Sequence, residues 1–264
     1  MPRHPAASAE TDPTRPLAGR HALVTGASRG IGAAIARALY ADGARLTLIA
    51  RDPKALAPLG AELDAEAISC DVTDATALGH AFATAAGHQH VDILVNNAGN
   101  AETAPFARTD AAMWARMLDL NLTAAYTACR LALPAMVEDG WGRVINVAST
   151  AGLKGYPYVS AYVAAKHGLV GLTRALALEF AKTGVTVNAV CPGYTDTPML
   201  ETSIARVAAK TAKAPDAIKA NLATANPTGR LIRPEEVAAC VAWLARNEAA
   251  SVTGAAIPIA GGEI

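Results

Sequence analysis

The 264-residue chain is predicted to form one α/β domain, a doubly wound parallel sheet with helices on both faces. Three observations predict this fold. Short apolar runs alternate with longer Ala-rich helical patterns along the chain. The runs lack polar alternation, which is typical of parallel strands covered on both faces. Hydrophobic residues make up 52% of the chain and charged residues 17%, which is enough for a sizeable core.

The order of the elements supports this prediction. The predicted strands are Ala22–Val24, Leu46–Ile49, Ala67–Cys70, Ile93–Val95, Val144–Val147, Val185–Val190 and Ala256–Ile259. The predicted helices cover residues 31–42, 53–63, 74–87, 110–139, 158–182 and 234–246. Because strand and helix alternate, each helix is expected to connect one parallel strand to the next.

The domain organisation is predicted to be simple. Residues 1–17, rich in Pro, Ala and Thr, are expected to form a flexible tail, and residues 18–264 a dinucleotide-binding catalytic domain. The longest stretch without a strand, residues 194–234, contains two helical pieces punctuated by prolines. An insertion after a strand of such a sheet commonly encloses a ligand, so this stretch is predicted to be a helical substrate lid. The alternative is a structural helix pair.

Composition argues against several partners and locations. A formal net charge of zero gives no reason to expect nucleic acid or an acidic membrane as a partner. No apolar run has the length of a signal peptide or a membrane span, so a cytoplasmic enzyme is expected. The four cysteines lack metal-binding spacing, and His80, His88 and His90 are expected to be solvated, so no metal site is predicted. The cysteines are Cys70, Cys129, Cys191 and Cys240.

A glycine-rich turn follows the first predicted strand and precedes a helix, as a dinucleotide site requires. Its sequence is Gly26-Ala-Ser-Arg-Gly-Ile-Gly32. Gly26 would permit the tight turn, Gly30 would let the backbone approach a pyrophosphate, and Gly32 would let the helix pack against the strand. Such a pattern alone is a weak signal, but its position between strand and helix strengthens it.

A second group of residues has the pattern of proton-transfer chemistry. Tyr162 and Lys166 are four residues apart, which places them on one face of a helix. A nearby ammonium would lower the pKa of the Tyr162 phenol, which could then exchange a proton with a carbonyl or alcohol oxygen. Lys166 could also hold the nicotinamide ribose. Ser149 ends a strand and could donate a hydrogen bond to the same substrate oxygen.

With these motifs the chain resembles the short-chain dehydrogenase/reductase family, whose fold is Rossmann-like. The resemblance covers residues 18–262 and rests on four ordered motifs. They are Thr25-Gly-Ala-Ser-Arg-Gly-Ile-Gly32, Asn96-Asn-Ala-Gly99, Tyr162-Val-Ala-Ala-Lys166 and Pro192-Gly193. One departure is Ile259-Ala-Gly-Gly262, which stands where the family more often has Val-Asp-Gly-Gly.

The resemblance implies further roles. Asn121 would be the fourth catalytic residue and would hold a water that relays protons to Lys166. Asp71 would accept from the adenine amino group, although it could equally cap the following helix. Asn97 would line the cofactor and could also brace neighbouring strands. The full implied cofactor set is Gly26, Ser28, Arg29, Gly30, Ile31, Gly32, Arg51, Asp71, Val72, Asn97, Gly99, Tyr162, Lys166, Pro192, Gly193 and Thr195.

The end of the second strand favours NADP(H) over NAD(H). NAD enzymes commonly place an acid there to bind the ribose 2′-hydroxyl, and the matching position in this chain is Ala50. Arg51 follows it and Arg29 lies in the glycine loop, so two guanidinium groups could hold a 2′-phosphate. In the alternative interpretation Arg51 is merely solvated and Asp52 binds the ribose.

These features together predict an oxidoreductase that reduces a ketone with NADPH, or runs the reverse reaction. The resemblance of the C-terminal half suggests a 3-oxoacyl thioester, bound to coenzyme A or a carrier protein. A steroid, cyclic or polyketide-type ketone is the alternative substrate. A silent NADP-binding regulatory subunit is the alternative of another class, which the intact Ser149, Tyr162 and Lys166 disfavour. By analogy with the family, a homotetramer or dimer is expected.

A basic stripe is expected on the lid. Arg206, Lys210 and Lys213 are spaced so that a continuous helix would align them on one face. Such a stripe would suit the phosphates of coenzyme A or an acidic carrier protein. The alternative is an ordinary solvated helix face.

Overall fold

A seven-stranded parallel sheet forms the centre of the computed structural model, which describes residues 14–87, 89–211 and 213–264. Its strands are β1 (His21–Thr25), β2 (Arg45–Ala50), β3 (Glu66–Ser69), β4 (Ile93–Asn96), β5 (Gly142–Val147), β6 (Val185–Pro192) and β7 (Ala256–Ile259). They lie in the order β3-β2-β1-β4-β5-β6-β7. All seven predicted strands are confirmed, as is the doubly wound parallel sheet.

The position of β1 creates the binding crevice. β1 pairs with β2 on one side and with β4 on the other, so the chain leaves β1 in one direction and later returns to its opposite edge. At such a reversal the loops after the two strands diverge and leave a crevice at the carboxyl edge of the sheet. The glycine-rich turn follows β1 and Asn97 follows β4, so both predicted motifs lie at this crevice.

Helices cover both faces of the sheet, as predicted. They are α1 (Gly30–Ala41), α2 (Pro53–Glu62), α3 (Ala75–Ala85), α4 (Ala111–Leu118), α5 (Ala124–Asp139), α6 (Ser160–Glu179), α7 (Pro198–Thr211), α8 (Pro215–Thr224) and α9 (Pro234–Ala245). Buried residues of α1, α2 and α9 form one apolar core, and those of α3 and α5 form a second core. The strands contribute alternate side chains to the two cores, which explains their unbroken apolar sequences.

The helix predicted over residues 110–139 is interrupted. A π-helical turn at Asp119–Thr123 separates α4 from α5. Asn121 lies in this turn, and its Nδ2 donates to the Met117 carbonyl at 3.0 Å. A side chain that bonds to the carbonyl four residues earlier competes with the regular helical ladder, and π-turns of this kind frequently mark functional sites.

The lid segment, residues 194–234, leaves the sheet and returns to the same point. It contains α7 and α8, and an isolated parallel bridge joins Thr195 to Ile232 at its base. The Ile232 amide donates to the Tyr194 carbonyl at 2.9 Å, and the Asp196 amide donates to the Ile232 carbonyl at 2.8 Å. The excursion is therefore closed at its base by backbone hydrogen bonds.

The ordered fold begins earlier than the predicted boundary at residue 18. Leu17 is 1% exposed and belongs to the apolar core, and its amide donates to the Asp42 carbonyl at 2.9 Å. The boundary was wrong at this residue because one apolar side chain in a polar, Pro-rich stretch gives no periodic signal. Residues 1–13 of the predicted tail lie outside the described residues. Over the described part of the chain, no helix is long and apolar enough to cross a membrane.

A buried histidine begins β1. His21 Nδ1 lies 3.0 Å from the Gln89 carbonyl and therefore donates to it, whereas Nε2 lies 2.9 Å from Thr47 Oγ1. Burial lowers the pKa of His21 below its ordinary value of 6.5. The folded protein therefore resists protonation of a ring that the unfolded chain protonates readily.

This histidine should make stability depend on pH. Because the folded-state pKa is lowered, the stabilisation is present above pH 6.5 and is lost as the pH falls below that value through the folded pKa. Each kcal/mol lost should lower Tm by about 2–4 °C in a chain of this size. The measurement is Tm between pH 8 and pH 5 for the wild type and His21→Gln, which should show a flatter profile. The exposed His80 provides the control, His80→Gln, which should keep the wild-type slope; equal slopes in all three proteins would contradict the assignment.

Candidate active site

The glycine-rich turn depends on contacts that leave no room for side chains. Gly26 has a φ of +65°, and a Cβ atom built on it would lie 2.8 Å from the Cα of Ala98. A Cβ on Gly32 would overlap the Gly26 carbonyl and lie 2.5 Å from Asn97 Nδ2. Absence of a side chain at these two positions therefore lets α1 pack directly against the ends of β1 and β4.

Asn97 ties the two strands on either side of the crevice. Its Nδ2 donates to the carbonyls of Thr25 at 2.9 Å and Gly26 at 3.1 Å. The amides of Asn97 and Ala98 both donate to Thr25 Oγ1 at 3.0 Å. Asn97 thus braces the ends of β1 and β4, as the sequence suggested, and these bonds fix the floor of the crevice.

The first turn of α1 fits a pyrophosphate. The helix begins at Gly30, its N-cap Arg29 is extended with φ −164°, and no side chain caps it. The first backbone N–H groups of a helix lack partners within it, and the helix dipole favours an anion there. Gly30 has a φ of +58°, and a Cβ on it would lie 3.3 Å from Thr197 Cγ2 at the start of the lid segment. These residues fit a dinucleotide, whose phosphates would lie between the turn and the lid.

The end of β2 offers a basic side chain. Ala50 is buried where an acid would bind the ribose, and the Arg51 side chain that follows is exposed, as is Arg29. The Asp52 carboxylate accepts from the amides of Lys54 at 2.9 Å and Ala55 at 3.4 Å, so it caps α2. In this conformation the carboxylate of Asp52 serves the helix, which weakens the alternative in which it binds the ribose.

Asp71 is not the cap of α3. The Asp74 carboxylate has that role and accepts from the amides of Thr76 and Ala77. The alternative in which Asp71 caps the helix was therefore wrong, because the helix begins after Asp74. Asp71 instead accepts from the amide and hydroxyl of Thr73 at 3.0 and 2.8 Å. Burial raises the pKa of Asp71, but the two bonds from Thr73 and the charge of Arg51 together lower it. Arg51 and Asp71 are therefore electrostatic neighbours at this edge.

Ser149, Tyr162 and Lys166 meet at the carboxyl end of β5. Ser149 lies two residues beyond the strand, close enough to Tyr162 for its side chain to act on the pKa of the phenol. Tyr162 and Lys166 lie one turn apart on α6, with the Lys166 Nζ 5.7 Å from the centre of the Tyr162 ring. Lys166 is buried and donates to the Val147 carbonyl at 2.8 Å. The end of one strand and one helix face thus place a hydroxyl, a phenol and an ammonium together.

Burial dominates the proton affinities of the last two residues. It raises the pKa of Tyr162, and the hydrogen bond with Ser149 acts in the opposite direction without overcoming it. This differs from the expected lowering by Lys166, because desolvation penalises the phenolate more than its surroundings stabilise it. Burial lowers the pKa of Lys166 to about 8, so the amine remains mostly protonated at neutral pH.

Asn121 and Gly99 complete this part of the site. The Asn121 Nδ2 donates to the carbonyls of Asn100 and Met117, each at 3.0 Å, and its Oδ1 accepts from the Asn100 amide at 3.3 Å. A Cβ on Gly99 would lie 2.8 Å from Asn121 Oδ1 and 3.5 Å from Lys166 Nζ. Asn121 therefore joins the π-turn to the loop after β4, beside Lys166, and its role in a water relay stays a prediction.

The remaining residues of the implied cofactor set also lie at or near the carboxyl ends of the parallel strands. Pro192 ends β6, and the Gly193 amide donates to the Ile259 carbonyl at 3.0 Å. Thr195 is buried and its hydroxyl donates to the Gly193 carbonyl at 3.0 Å. The other three residues of the set are Ser28, Ile31 and Val72, and Val72 is buried.

The expected basic stripe on the lid is not one helix face. α7 ends at Thr211, so Lys213 lies beyond the helix and cannot continue the alignment of Arg206 and Lys210. The prediction was wrong because it assumed that one helix continues through Lys213, whereas α7 ends at Thr211 and α8 begins at Pro215. Arg206 does contribute to lowering the pKa of Glu102, after the larger effect of the hydrogen bond from Arg116.

At the sheet edge opposite the predicted site, His90 lies beside salt bridges from Arg20 to Asp92 and Asp139. His90 is partly buried rather than simply solvated, and its Nε2 lies 3.4 Å from Asp92 Oδ1. His90, Asp92 and Asp139 are close enough together to hold a metal ion. The Arg20 guanidinium lies 2.9 Å from Asp92 and 3.4 Å from Asp139, and its charge opposes a further cation there. His88 lies outside the described residues.

Sequence reasoning missed residues that border the site. Thr197 contacts the glycine turn, and its place before Pro198 was a usable helix-start signal. Tyr156 and Tyr194 form an edge-to-face pair with centres 6.5 Å apart, and Glu263 accepts a hydrogen bond from Tyr156. These contacts join distant segments and leave no local sequence pattern.

Comparisons with known proteins agree with this geometry. A family profile described as short chain dehydrogenase matches residues 20–208. The chain is 42% identical over 250 residues to a Streptomyces violaceoruber protein designated as a ketoacyl reductase of the granaticin polyketide synthase, covering 91% of this chain and 92% of that protein. It is 39% identical over 253 residues to D-beta-hydroxybutyrate dehydrogenase of Cupriavidus necator, covering 93% and 98% of the two chains.

A solved structure is similar over nearly the whole fold. A variant of actinorhodin polyketide ketoreductase, determined with NADPH, superposes with a TM-score of 0.89 at 37% sequence identity. The match covers 92% of this chain and 97% of that chain. The similarity therefore extends over most of the fold.

The tight packing of α1 can be tested at Gly32. Gly32→Ala should lower the free energy of unfolding by about 1–3 kcal/mol, because the new methyl group meets a carbonyl and an amide that cannot both move freely. The matched control is Gly79→Ala in α3, where a Cβ meets nothing within 4 Å and should stabilise the helix by about 0.5–1 kcal/mol. Urea unfolding measures both values. A Gly32→Ala protein as stable as the wild type would disprove the contact.

Proposed function

Given that the chain belongs to the short-chain dehydrogenase family, and is an oxidoreductase that reduces a ketone to an alcohol or runs the reverse reaction, we propose that it reduces a 3-oxoacyl thioester with NADPH. The observation that carries the proposal is the Tyr162–Lys166 pair beside Ser149, with the buried Lys166 Nζ 5.7 Å from the centre of the Tyr162 ring and hydrogen-bonded to the Val147 carbonyl. The pair lies at the same sheet edge as the glycine turn. A hydride donor and a proton donor would therefore reach one carbonyl group from adjacent positions.

The proposed roles follow from this arrangement. Ser149 donates a hydrogen bond to the substrate carbonyl oxygen and holds it beside Tyr162. Tyr162 gives its proton to that oxygen as the carbonyl carbon is reduced. Lys166 holds the nicotinamide ribose and supplies positive charge beside the phenol. The nicotinamide cofactor, when bound, supplies the hydride, and the glycine turn, Asn97 and Thr195 would hold it.

Proton affinity favours the reductive direction. Because burial raises the pKa of Tyr162, the phenol is protonated at neutral pH and is ready to act as an acid. Oxidation of an alcohol needs the phenolate as a base and would therefore be favoured only at higher pH. Tyr156 and Tyr194 also have raised pKa values through burial, so the surrounding phenols stay neutral as well.

The ribose end of the crevice supports NADPH. Ala50 offers no carboxylate to repel a 2′-phosphate, the Asp52 carboxylate caps α2, and Arg51 is exposed and free to turn toward the crevice. The similar actinorhodin polyketide ketoreductase was determined with NADPH, which agrees with this choice. We propose that Arg51 and Arg29 together contact the 2′-phosphate.

Two substrate classes have support. The thioester is supported by the similarity to a designated ketoacyl reductase, whose name indicates reduction of a keto group on an acyl unit. The similarity to D-beta-hydroxybutyrate dehydrogenase adds a name that indicates chemistry at the β carbon of a short hydroxy acid. It no longer has support from a basic lid stripe. A polyketide-type cyclic ketone is the second candidate, favoured by the similar actinorhodin polyketide ketoreductase and by the Tyr156–Tyr194 ring pair near Ser149.

Association and location follow as further proposals. Tyr126 and Leu131 on α5 and Leu178 on α6 are exposed apolar side chains, and Leu178 is 82% exposed. We propose that these helices pack in a homo-oligomer, a tetramer or a dimer, which acts in the cytoplasm. A silent NADP-binding subunit would need no Ser149–Tyr162 contact, and the turnover assay below separates it from an enzyme.

Cofactor choice is tested at Arg51. Arg51→Ala should raise the KM for NADPH about tenfold or more and leave the KM for NADH nearly unchanged, because a charge-assisted contact with the 2′-phosphate is lost. The control is Lys54→Ala, which removes an exposed cation in the first turn of α2 and should change neither KM. Equal rises for both cofactors in Arg51→Ala would show that this residue does not recognise the phosphate.

Substrate class and mechanism are tested together. Acetoacetyl-CoA, a cyclic diketone and a simple acyclic ketone are supplied with NADPH, and loss of nicotinamide absorbance is followed. The thioester should have the highest kcat/KM, and Tyr162→Phe should lower kcat by about 10² to 10⁴ while NADPH binding persists. A preference for the cyclic ketone would select the second candidate. Near-normal turnover by Tyr162→Phe would contradict the mechanism, and inactivity of the wild type toward every ketone would contradict the proposed function.

A further inference from the structure

A double-glycine turn directs the end of the chain back toward the active site. After β7, Gly261 and Gly262 both have positive φ angles, +58° and +89°. A Cβ on Gly261 would overlap Thr228 Oγ1, and the Thr228 amide donates to the Gly261 carbonyl at 3.2 Å. The turn is therefore held against the C-terminal part of the lid segment, and it carries Glu263 inward.

The Glu263 carboxylate is buried among polar partners. Its side chain is 6% exposed, and its Oε1 accepts from Tyr156 Oη at 2.5 Å and from Lys154 Nζ at 2.9 Å. Its Oε2 is buried and has no hydrogen-bond partner among the described residues. A buried carboxylate is costly unless it is paired, and Lys154 supplies the neutralising charge. The pairing lets an acid remain beside the aromatic side chains.

The contacts continue from Glu263 to Ser149. Tyr156 Oη also lies 2.7 Å from Thr150 Oγ1, and Thr150 is the buried residue that follows Ser149. Because Tyr156 donates to Glu263, Thr150 donates to Tyr156, and the hydroxyl protons point in one direction along the chain of bonds. Burial and the Glu263 carboxylate both raise the pKa of Tyr156, which keeps its proton in place.

The short turn that contains Thr150 contacts both Ser149 and α6. Thr150–Gly152 forms a short 3-10 turn in which the Ala151 amide donates to Ser149 Oγ at 3.1 Å. A Cβ on Gly152 would lie 2.8 Å from the Lys166 carbonyl oxygen. Displacement of this turn would therefore change where the Ser149 hydroxyl lies relative to α6, which carries Tyr162 and Lys166.

We propose that Glu263 is a positioning residue of this active site, which fixes Ser149 through Tyr156 and Thr150. The inference rests on the proposed ketone reduction. Glu263 does not touch the reacting atoms in this role; it sets the angle at which Ser149 meets the carbonyl oxygen. The C-terminal segment thus forms part of the catalytic apparatus, although it lies outside the matched range of residues 20–208.

The experiment is a double-mutant cycle on Glu263 and Tyr156. Glu263→Ala and Tyr156→Phe should each lower kcat on the order of tenfold, and the double variant should be no slower than the slower single variant. The KM for NADPH should stay within about twofold of the wild type, because the glycine turn is untouched. Glu263→Gln keeps an acceptor for Tyr156 and should recover part of the lost kcat. Matched controls are Glu179→Ala and Tyr40→Phe, which alter exposed residues far along the sequence from this turn.

Thermal unfolding of the same variants separates the possible failures. Non-additive changes in Tm would establish the Glu263–Tyr156 contact without any assay of turnover. An active wild type with unchanged kcat in Glu263→Ala, or with additive losses in the double variant, would overturn the positioning role and leave the proposed function standing. A wild type inactive toward every ketone would overturn the proposed function, and this inference with it, whatever the Tm cycle showed.

Discussion

Contact between Gly32 of α1 and the Gly26 carbonyl and Asn97 amide sets how closely the first helix approaches the ends of β1 and β4. The helix N-terminus is thereby placed over the crevice, where its free N–H groups can meet phosphates. Asn97 is held in the same contact and joins both strands. With the loops after β1 and β4 fixed, Gly99 lies against Asn121 and Lys166, so the proposed cofactor site and the proposed catalytic site share one wall.

Burial then decides the chemistry at that wall. Burial lowers the pKa of Lys166 to about 8 without removing the charge at neutral pH, and the ammonium donates to the Val147 carbonyl. The same desolvation raises the pKa of Tyr162 and keeps it as an acid. Two opposite shifts from one cause leave a protonated phenol beside an ammonium, which suits reduction of a carbonyl group.

Agreement between sequence and structure depended on how local each feature is. The strands and the Tyr162–Lys166 spacing follow from short-range periodicity, and they were predicted within one or two residues. The break in the predicted helix 110–139 was missed because a π-turn, here accompanied by the bond from Asn121 to the Met117 carbonyl, leaves the apolar periodicity of the sequence unchanged. The lid stripe failed because the spacing of charges does not contain where a helix ends, and α7 ends at Thr211, before Lys213.

The sequence by itself determined the alternation of strands and helices, the glycine turn and the placement of Tyr162 and Lys166 one turn apart on a helix, because each depends on spacing along one segment. Only the tertiary structure decided which distant groups meet. Tyr156 and Glu263 are separated by 107 residues, and their contact depends on the parallel strand order and the turn after β7. Side chains so far apart leave no periodic trace, because their proximity is produced by the packing of the whole sheet.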